Sequence, residues 1–332
     1  MTMVFLGIDG GGTKTGFVLV DGDGHVLARH QSSTSYYLEI GFEALPTLLQ
    51  TGVQAVLAQA GLKPEHIAHA FLGLPAHGED SALLTRFDGL LDGLLPRERC
   101  SVGNDMVCSW AGSLAGADGI SVVAGTGSIA YGEWRGASAR CGGWGELFGD
   151  EGSAYWLARE GLSLFSRMAD GRAAAGPLQD LVRQHFQLAH DLDLCALING
   201  ADSGAAGGAG GPQRSHMAQL ARLVSSAAER GDQQAIALLE RAGQELAALV
   251  AGVAVQLKVQ SGARLPISYT GGVFQAVAPV LDGMRVRLAE LLPGCVLVEP
   301  RFGPDIGAAI HAARQAQQAF GAMALERLAA FA

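Results

Sequence analysis

The sequence has no long apolar run, no cluster of basic residues and no closely spaced pair of cysteines. Its longest apolar stretches, such as Ala247 to Val255, fall far short of the roughly 20 residues that cross a bilayer, so no transmembrane helix is predicted. A net charge of −9 without a Lys/Arg cluster argues against nucleic-acid binding. The five cysteines are scattered, and the N-terminus has no basic segment followed by an apolar one. Neither a cysteine-held metal site nor a secretory signal is therefore expected, and the predicted location is the cytoplasm.

Several common catalytic motifs are also missing. The dipeptide Gly-Lys never occurs, which excludes a Walker A loop, and neither G-x-S-x-G nor H-E-x-x-H is present. Gly125 to Ala130 (GTGSIA) matches the dinucleotide pattern G-x-G-x-x-A, but that pattern requires a helix directly afterwards. The residues from Ile129 to Trp134 alternate like a strand instead, so a Rossmann enzyme is disfavoured.

Glycine, in contrast, is abundant: 47 of 332 residues, about twice the usual share of roughly 7%. Near the N-terminus, Val4 to Thr15 reads VFLGIDGGGTKT, an apolar run followed by one aspartate and three glycines. The apolar run predicts a buried strand, and the glycines would let backbone N–H groups approach an anion. The alternative is a β-hairpin whose turn needs positive φ, and this stretch alone leaves both open.

The first part of the chain predicts an α/β domain with a mixed sheet. After the first strand, Gly16 to Val20 and His25 to His30 indicate an antiparallel meander. The helix predicted over Ala44 to Ala60 ends at Gly61, and a buried strand follows over Ile67 to Leu74. Next we predict a helix from about Asp80 to Leu95, a strand over Cys100 to Gly103 that delivers Asn104 and Asp105, and a helix over Met106 to Leu114.

The order of a strand, a glycine turn and two further strands then occurs a second time. The strand Ile120 to Ala124 leads into a second glycine turn, Gly125-Thr126-Gly127-Ser128, and two further strands. We therefore predict two similarly built lobes, 1–117 with the terminal helix of about 304–332, and 118–303. The Gly/Ala-rich segment Asn199 to Pro212 is interpreted as a linker or lid edge. The remaining helices are predicted over Gly152 to Met168, Leu178 to Gln187, Gln213 to Arg230, Gln233 to Ser261 and Ala276 to Leu291, with strands over Leu265 to Tyr269 and Cys295 to Val298.

Two glycine turns, each after a strand, suit phosphoryl transfer. Backbone N–H groups can bind the β- and γ-phosphates, one carboxylate can organise a metal ion, and another can deprotonate the attacking hydroxyl. Asp9, beside the first turn, and Asp105, at a strand end, could supply these carboxylates. The alternative for Asp105 is the N-cap of the helix that follows, and both roles could hold at once.

The chain contains five motif segments: GIDGGGTKT (Gly7 to Thr15), VVAGTGS (Val122 to Ser128), CGGWGELFGDEGSAYWLA (Cys141 to Ala158), SYTGGVF (Ser268 to Phe274) and PDIGAAIHAA (Pro304 to Ala313). Together they resemble the sugar kinase, Hsp70 and actin superfamily, and within it the N-acetylglucosamine kinases of the BadF/BadG/BcrA/BcrD ATPase group. The resemblance covers nearly the whole chain and implies a two-lobed actin-like ATPase (ribonuclease H-like) fold with duplicated mixed β-sheets flanked by helices. The most specific segment is CGGWGELFGDEGSAYWLA, which resembles the sugar-binding stretch.

The resemblance implies ATP-dependent phosphorylation of the 6-hydroxyl of an amino sugar, most closely N-acetylglucosamine, by a homodimer with Mg²⁺. It makes Asp105 the general base and Asp9 the organiser of Mg²⁺ through water. The implied nucleotide-binding residues are Gly10, Gly11, Gly12, Thr13, Lys14, Gly125, Thr126, Gly271 and Gly272. The implied sugar-binding residues are Ser35, Asn104, Asp105, Gly127, Ser128, Gly143, Trp144, Gly145 and Asp150.

Three of the sugar-side residues keep open alternatives. For Asp150 the alternative is a carboxylate at a helix N-terminus, and for Trp144 it is core packing. Ser35 stands where animal relatives carry an asparagine, and a hydroxyl has shorter reach and fewer hydrogen bonds than an amide. Glucosamine or another hexosamine therefore remains an alternative substrate.

Two other functional classes are less consistent with the sequence. A sugar-sensing repressor would need a DNA-binding segment before the first glycine turn, and only six residues precede Gly7. A reductase-activating ATPase would need a cysteine-held iron–sulfur cluster, and Cys141 has no suitable partner pattern. We therefore predict an enzyme of the sugar kinase class.

Overall fold

The computed structural model describes residues 3–200, 214–276 and 278–331. The chain forms two compact units, Met1–Ser121 with Val298–Ala332, and Val122–Leu297. The strands are β1 Val4–Gly10, β2 Lys14–Asp21, β3 Val26–Ser33, β4 Ile67–Leu74, β5 Cys100–Asn104, β6 Gly119–Ala124, β7 Ser128–Trp134, β8 Ala137–Gly142, β9 Pro266–Thr270 and β10 Val296–Val298.

Helices follow or separate these strands, and short 3-10 turns lie at Phe42–Ala44, Pro64–His66, Ser81–Leu83 and Arg97–Arg99. None of the helices in the described ranges is long and apolar enough to cross a membrane. The helices are α1 Tyr37–Ile40, α2 Leu45–Ala60, α3 Leu84–Phe87, α4 Met106–Ser113, α5 Ala154–Ala169, α6 Pro177–Phe186, α7 Asp193–Gly200, α8 Arg214–Gln219, α9 Ala221–Glu229, α10 Gln233–Gln256, α11 Gly272–Ala276, α12 Ala278–Leu291, α13 Pro304–Gln315 and α14 Ala322–Ala329.

The two sheets repeat one topology. The first has the order β3-β2-β1-β4-β5, with the predicted antiparallel meander β1-β2-β3 and parallel β1-β4 and β4-β5 pairs. The second has the order β10-β9-β6-β7-β8. Read from the opposite edge, the second sheet is β8-β7-β6-β9-β10, so each sheet has its strands in the order third, second, first, fourth, fifth along the chain. The predicted fold class, duplicated mixed sheets flanked by helices, is confirmed.

Helices cover both faces of the first sheet. Val4, Leu6 and Ile8 of β1 belong to the core that α2 closes with its apolar stripe. On the opposite face, Gly7 lies under α13, because a Cβ on Gly7 would overlap the backbone N of Ala309. A side chain at Gly7 would thus push α13 off the sheet.

The predicted helix over Asp80 to Leu95 is wrong. Only the 3-10 turn Ser81–Leu83 and the single-turn helix α3 form, and turns follow. Gly93 has φ +82, and a Cβ on Gly89 would lie 2.9 Å from the guanidinium of Arg97. Leu90, Leu91 and Leu95 are buried although they lie in turns, so their apolar character reflects burial rather than helical periodicity.

Three other helices differ in extent or continuity from the prediction. The helix predicted over Gln213 to Arg230 is interrupted at Leu220 between α8 and α9. The helix predicted to reach Ser261 ends at Gln256, and Lys258 has φ +54. The terminal helix divides into α13 and α14, with Gln317 at φ +59 between them. Helix α7 was not predicted, and most of the Gly/Ala-rich segment lies outside the described residues.

Candidate active site

Asp9 occupies a position that the neighbouring strands leave clear of side chains. In the sheet register it pairs with Gly16 of β2 and with Gly73 of β4. A Cβ on Gly16 would lie 3.4 Å from the Cβ of Asp305, at the start of α13. A Cβ on Gly73 would overlap the Cys108 sulfur and lie 3.3 Å from the Cα of Asp105. The two glycines thus let two further carboxylate-bearing residues approach the end of β1.

Negative charge accumulates around Asp9. Burial raises the pKa of Asp9 well above its usual value, and Asp105 and Asp305 raise it further. Lys14 and a side-chain hydrogen bond with Cys108 act in the opposite direction. A site of this kind is stabilised by binding a proton or a cation.

The donor set fits Mg²⁺ bound largely by substrate and water. Carboxylate oxygens are the hard ligands that this ion prefers, and it is commonly held by one or two carboxylates together with phosphates and water. Within the described ranges no three His, Cys, Asp or Glu side chains form a ready-made metal site. Asp9 can therefore organise a hydrated ion but would not enclose it.

Asp105 lies where β5 passes into α4, and its neighbour Asn104 performs the capping. The Asn104 Oδ1 accepts a hydrogen bond from the Met106 N–H at 3.1 Å, and its Nδ2 donates to the carbonyl of His77 at 3.2 Å. Among the described residues, the Asp105 side chain makes no capping hydrogen bond to α4. The N-cap alternative for Asp105 is thus not supported, and its carboxylate is available for chemistry.

The environment of Asp105 suits a general base. Burial raises the pKa of its carboxyl from 3.8 to about 6, against the effect of the adjacent backbone N–H groups of Met106 and Asp105 itself. The negative charge of Glu79 also raises it. A base with a pKa just below neutral pH is mostly ionised and still able to hold a transferred proton.

The first glycine turn, Gly11 to Thr13, joins the antiparallel strands β1 and β2. The hairpin alternative is right about the topology, but none of Gly10, Gly11 and Gly12 has the positive φ that it invoked. Gly10 is required by packing, because a Cβ there would overlap the Ser35 hydroxyl. At Gly12 a Cβ would meet no atom of the described residues within 4 Å. Thr13 and Lys14 are exposed beside it.

The second glycine turn and the turn at Gly271-Gly272 each contain a glycine with open surroundings like those of Gly12. Cβ atoms on Gly125 and Gly272 would find no described atom within 4 Å, and neither residue has positive φ. Their neighbours are constrained: Gly271 has φ +108 and packs on Ala124, and Gly127 packs on Asp150. Open surroundings also occur at Gly321, at the start of α14, so this property supports a binding role only together with the motif around it.

Asp150 is the buried carboxylate of the loop between β8 and α5. Its φ is +59, and its Oδ1 accepts a hydrogen bond from the Ser128 N–H at 3.2 Å. Its Oδ2 pairs with the guanidinium of Arg214, at the start of α8. Burial raises the pKa of Asp150, and Arg214 opposes that rise. The helix N-terminal alternative is not supported, because Ser153 caps α5 through a 3.1 Å bond from the Trp156 N–H.

The same loop exposes apolar side chains. Trp144 is 68% exposed, and Leu147 and Phe148 are exposed more fully. The core-packing alternative for Trp144 is therefore wrong. Gly143 and Gly145, on either side, have positive φ, which presents the indole on a tight turn.

Two predicted sugar contacts are turned into the protein. Ser35 is completely buried against Gly10, and its hydroxyl has no hydrogen-bond partner among the described residues. The Ser128 hydroxyl donates to the carbonyl of Glu151 at 2.7 Å. The structure gives no direct support for sugar binding by the Ser35 hydroxyl, and that role stays a prediction.

Three charged residues beside these groups were missed from the sequence. Asp305 lies in the quoted PDIGAAIHAA segment, where its acidic character was the available signal. Glu146 lies in the quoted loop, and its Oε2 is 3.2 Å from the Nε of Arg214. Arg214 itself gave no signal, because it is 64 residues from Asp150 at the edge of the Gly/Ala-rich segment.

Comparison with known proteins agrees with the motifs. The model of the BadF/BadG/BcrA/BcrD ATPase family matches residues 6–312. An N-acetyl-D-glucosamine kinase of Dictyostelium discoideum is 27% identical over 93% of this chain and 97% of its own length. An N-acetylmuramic acid/N-acetylglucosamine kinase of Clostridium acetobutylicum is 28% identical over 92% of this chain and 97% of its own.

A solved structure from Chromobacterium violaceum, a candidate N-acetylglucosamine kinase, is also similar. It is 29% identical, and the match covers 94% of this chain and 99% of that one with a TM-score of 0.70. The family match spans almost the whole chain and confirms the prediction made from the five segments. The chain belongs to the BadF/BadG/BcrA/BcrD ATPase family.

Proposed function

We propose that this protein transfers the γ-phosphoryl group of ATP to the 6-hydroxyl of N-acetylglucosamine. The observation that carries the proposal is Asp105, which is released from helix capping by Asn104 and has a pKa of about 6. Kinases of this kind need such a carboxylate to accept the proton of the attacking hydroxyl. Two relatives that match over nearly their whole length are named N-acetylglucosamine kinases.

The nucleotide role falls to the glycine turns. Gly12, Gly125 and Gly272 tolerate close approach of a phosphate or ribose, because backbone N–H groups there are not shielded by a side chain. Thr13, Lys14 and Thr126 are exposed beside these turns and can donate to phosphate oxygens. Asp9 would hold hydrated Mg²⁺, which would neutralise negative charge on the phosphates of ATP.

The sugar role falls mainly to the loop between β8 and α5. Asp150 accepts hydrogen bonds from sugar hydroxyls, and the exposed Trp144 offers its ring face to the apolar side of the sugar. Gly143 and Gly145 set the shape of the loop, and Gly127 allows Asp150 to reach the Ser128 N–H. The lobe boundaries at 117/118 and 303/304, the cytoplasmic location and the homodimer stay predictions.

A coupled assay of ADP release tests the proposal. The panel is N-acetylglucosamine, glucosamine, N-acetylmannosamine, glucose and N-acetylmuramic acid, the last because one relative carries its name. We expect N-acetylglucosamine to give the highest kcat/KM and Asp105→Asn to abolish the stimulation. Stimulation by glucosamine alone would instead select the glucosamine kinase alternative. Absence of stimulation by every sugar, or full activity of Asp105→Asn, would contradict the proposal.

A further inference from the structure

Arg214 covers the carboxylate that is proposed to bind the sugar. Its guanidinium pairs with Asp150 Oδ2, while Oδ1 accepts from the Ser128 N–H. The Asp150 side chain is only 2% exposed, so solvent does not reach it while this pair is in place. Hydroxyl groups of a sugar therefore cannot reach Asp150 in this arrangement.

The side chains of Arg214 and Asp150 differ in how exposed they are and in how firmly the protein holds them. The Arg214 side chain is 36% exposed and reaches Asp150 from outside, whereas Asp150 is held by its backbone and by Ser128. Arg214 also has a second carboxylate within reach, because its Nε is 3.2 Å from Glu146 Oε2. Within the described residues that Nε–H makes no hydrogen bond, so the Glu146 contact is an ion pair that improved alignment could strengthen.

A buried carboxylate needs a partner when no sugar is bound. Leaving the Asp150 charge unpaired would cost several times what an ordinary lost hydrogen bond costs. Arg214 meets this requirement, and sugar hydroxyls can take its place, since an ionised carboxylate has about four acceptor positions. Glu146 can retain the guanidinium after it leaves Asp150.

We propose that Arg214 competes with the sugar hydroxyls for Asp150 and thereby sets the affinity and selectivity for the sugar. The inference rests on the proposed function, because it takes Asp150 as a sugar ligand. A sugar binds only if its hydroxyl groups replace the guanidinium, so part of its binding free energy is used to displace Arg214. Hexoses that present fewer well-placed hydroxyls lose this competition.

Calorimetric titration of N-acetylglucosamine at pH 8, without ATP, tests the competition. Arg214→Met removes the competitor, and we expect its Kd to fall about tenfold, the equivalent of 1.4 kcal/mol. The alkaline pH favours the ionised form of Asp150, because burial raises its pKa and Arg214→Met removes the charge that opposes this rise. Arg222→Met, which alters an exposed arginine of α9, is the matched control and should bind the sugar like the wild type.

Glu146→Gln provides a test of opposite sign. Loss of Glu146 leaves Asp150 as the main partner of Arg214, so sugar binding should weaken by about threefold, the size expected for one exposed charge. The double variant Arg214→Met/Glu146→Gln should match Arg214→Met, because Glu146 acts through the arginine. If Arg214→Met does not fold, Glu146→Gln and Arg214→Lys still test the competition. We expect Arg214→Lys to bind the sugar more tightly than the wild type.

The contrary results are equally specific. Weaker sugar binding by Arg214→Met, with the control unchanged, would show that Arg214 positions Asp150 in the complex, and would overturn the competition. Tighter binding by Glu146→Gln would do the same. If the wild type binds no hexosamine at all, the proposed function itself fails and the inference falls with it.

Discussion

The two glycine-turn regions share a scaffold but treat their carboxylates differently. Each sheet places its turn on the hairpin that follows its first strand, and each has the same strand order. In the first region, Asp9 and Asp105 are crowded by further negative charge, and the pKa of each is raised. In the second region, Asp150 is paired with Arg214 and with a backbone N–H.

The same sheet topology therefore supports two different roles for its carboxylates, proton or metal binding in the first region and ligand recognition in the second. Carboxylates without a fixed cationic partner can accept a proton or organise a metal ion, as phosphoryl transfer requires. A carboxylate that a backbone N–H orients, as the Ser128 N–H orients Asp150, suits recognition, because its direction is fixed before the ligand arrives. The substitutions below test that division, from the largest expected effect to the smallest.

Asp105→Asn should lower kcat by about 10²- to 10⁴-fold, because the proton acceptor is lost. The fold should not suffer. The pKa of Asp105 is raised from 3.8 to about 6, so the wild type loses stability as pH rises through this window, and the amide removes that loss. Activity assays and melting temperatures at pH 4 and pH 7 check both parts. A variant that melts much lower at pH 7 would mean that Asp105 is structural.

Asp9→Asn should weaken Mg²⁺ binding by about 10- to 100-fold, the range seen when a group that orients metal-bound water is removed. Titration of Mg²⁺ into the protein with a non-hydrolysable ATP analogue measures this directly. Glu79→Gln, which removes a carboxylate near Asp105, is the matched control and should leave the Mg²⁺ affinity unchanged. Equal loss in both variants would point to a general charge effect.

Gly12→Ala and Gly125→Ala should raise the KM for ATP by about tenfold through loss of charge-assisted hydrogen bonds to phosphate. Both should fold normally, because an added Cβ meets no described atom and neither φ is positive. Gly10→Ala is the contrasting control: its Cβ overlaps the Ser35 hydroxyl, so it should lower the melting temperature. Unchanged ATP binding by Gly12→Ala and Gly125→Ala would show that these two glycines do not contact the nucleotide.

Trp144→Ala should raise the KM for N-acetylglucosamine by about two- to tenfold, as expected for loss of one aromatic contact. The melting temperature should not change, because the indole is largely exposed. Leu147→Ala, on the same loop, serves as the control for general loss of apolar surface. Equal effects of the two substitutions would remove the specific role of the ring.

Glu79→Gln should shift the acid limb of the pH profile of kcat/KM to lower pH. The wild-type limb reports deprotonation of Asp105 and should have its midpoint near pH 6, with activity lost below it. Removing the negative charge of Glu79 favours the ionised base, so the midpoint should fall. A limb that does not move would show that another group controls the acid side.

Much of the fold could be predicted because its signals are local. The apolar run before Asp9, the antiparallel meander over 16–30 and the helix ending at Gly61 each show hydrophobic patterning that glycine or polar residues interrupt, and all three form as expected. The region of Asp80 to Leu95 could not be predicted in this way. Leu90, Leu91 and Leu95 are buried by tertiary packing while Gly89 and Gly93 lie in turns, so apolar content without a clear period gave the wrong assignment.

In the candidate site, too, residues with a local sequence signal could be predicted, whereas contacts set by tertiary packing could not. Asp105 could be found from a strand end, whereas its release from capping depends on which of two adjacent side chains turns toward Met106. Asp150 could be found from a motif, but its partner Arg214 is brought to it by α8, far along the chain. The burial of Ser35 follows from packing against Gly10, which no local pattern encodes.

The packing of α13 against Gly7 of the first sheet has a consequence for the order in which the protein folds during synthesis. This helix covers one face of the first sheet, yet it follows the entire second unit along the chain. On the ribosome, β1 to β5 are therefore made early but wait for their last layer until the second unit has emerged. The N-terminal unit is begun first and completed last, and nascent chains truncated before α13 should need chaperones to protect that open face.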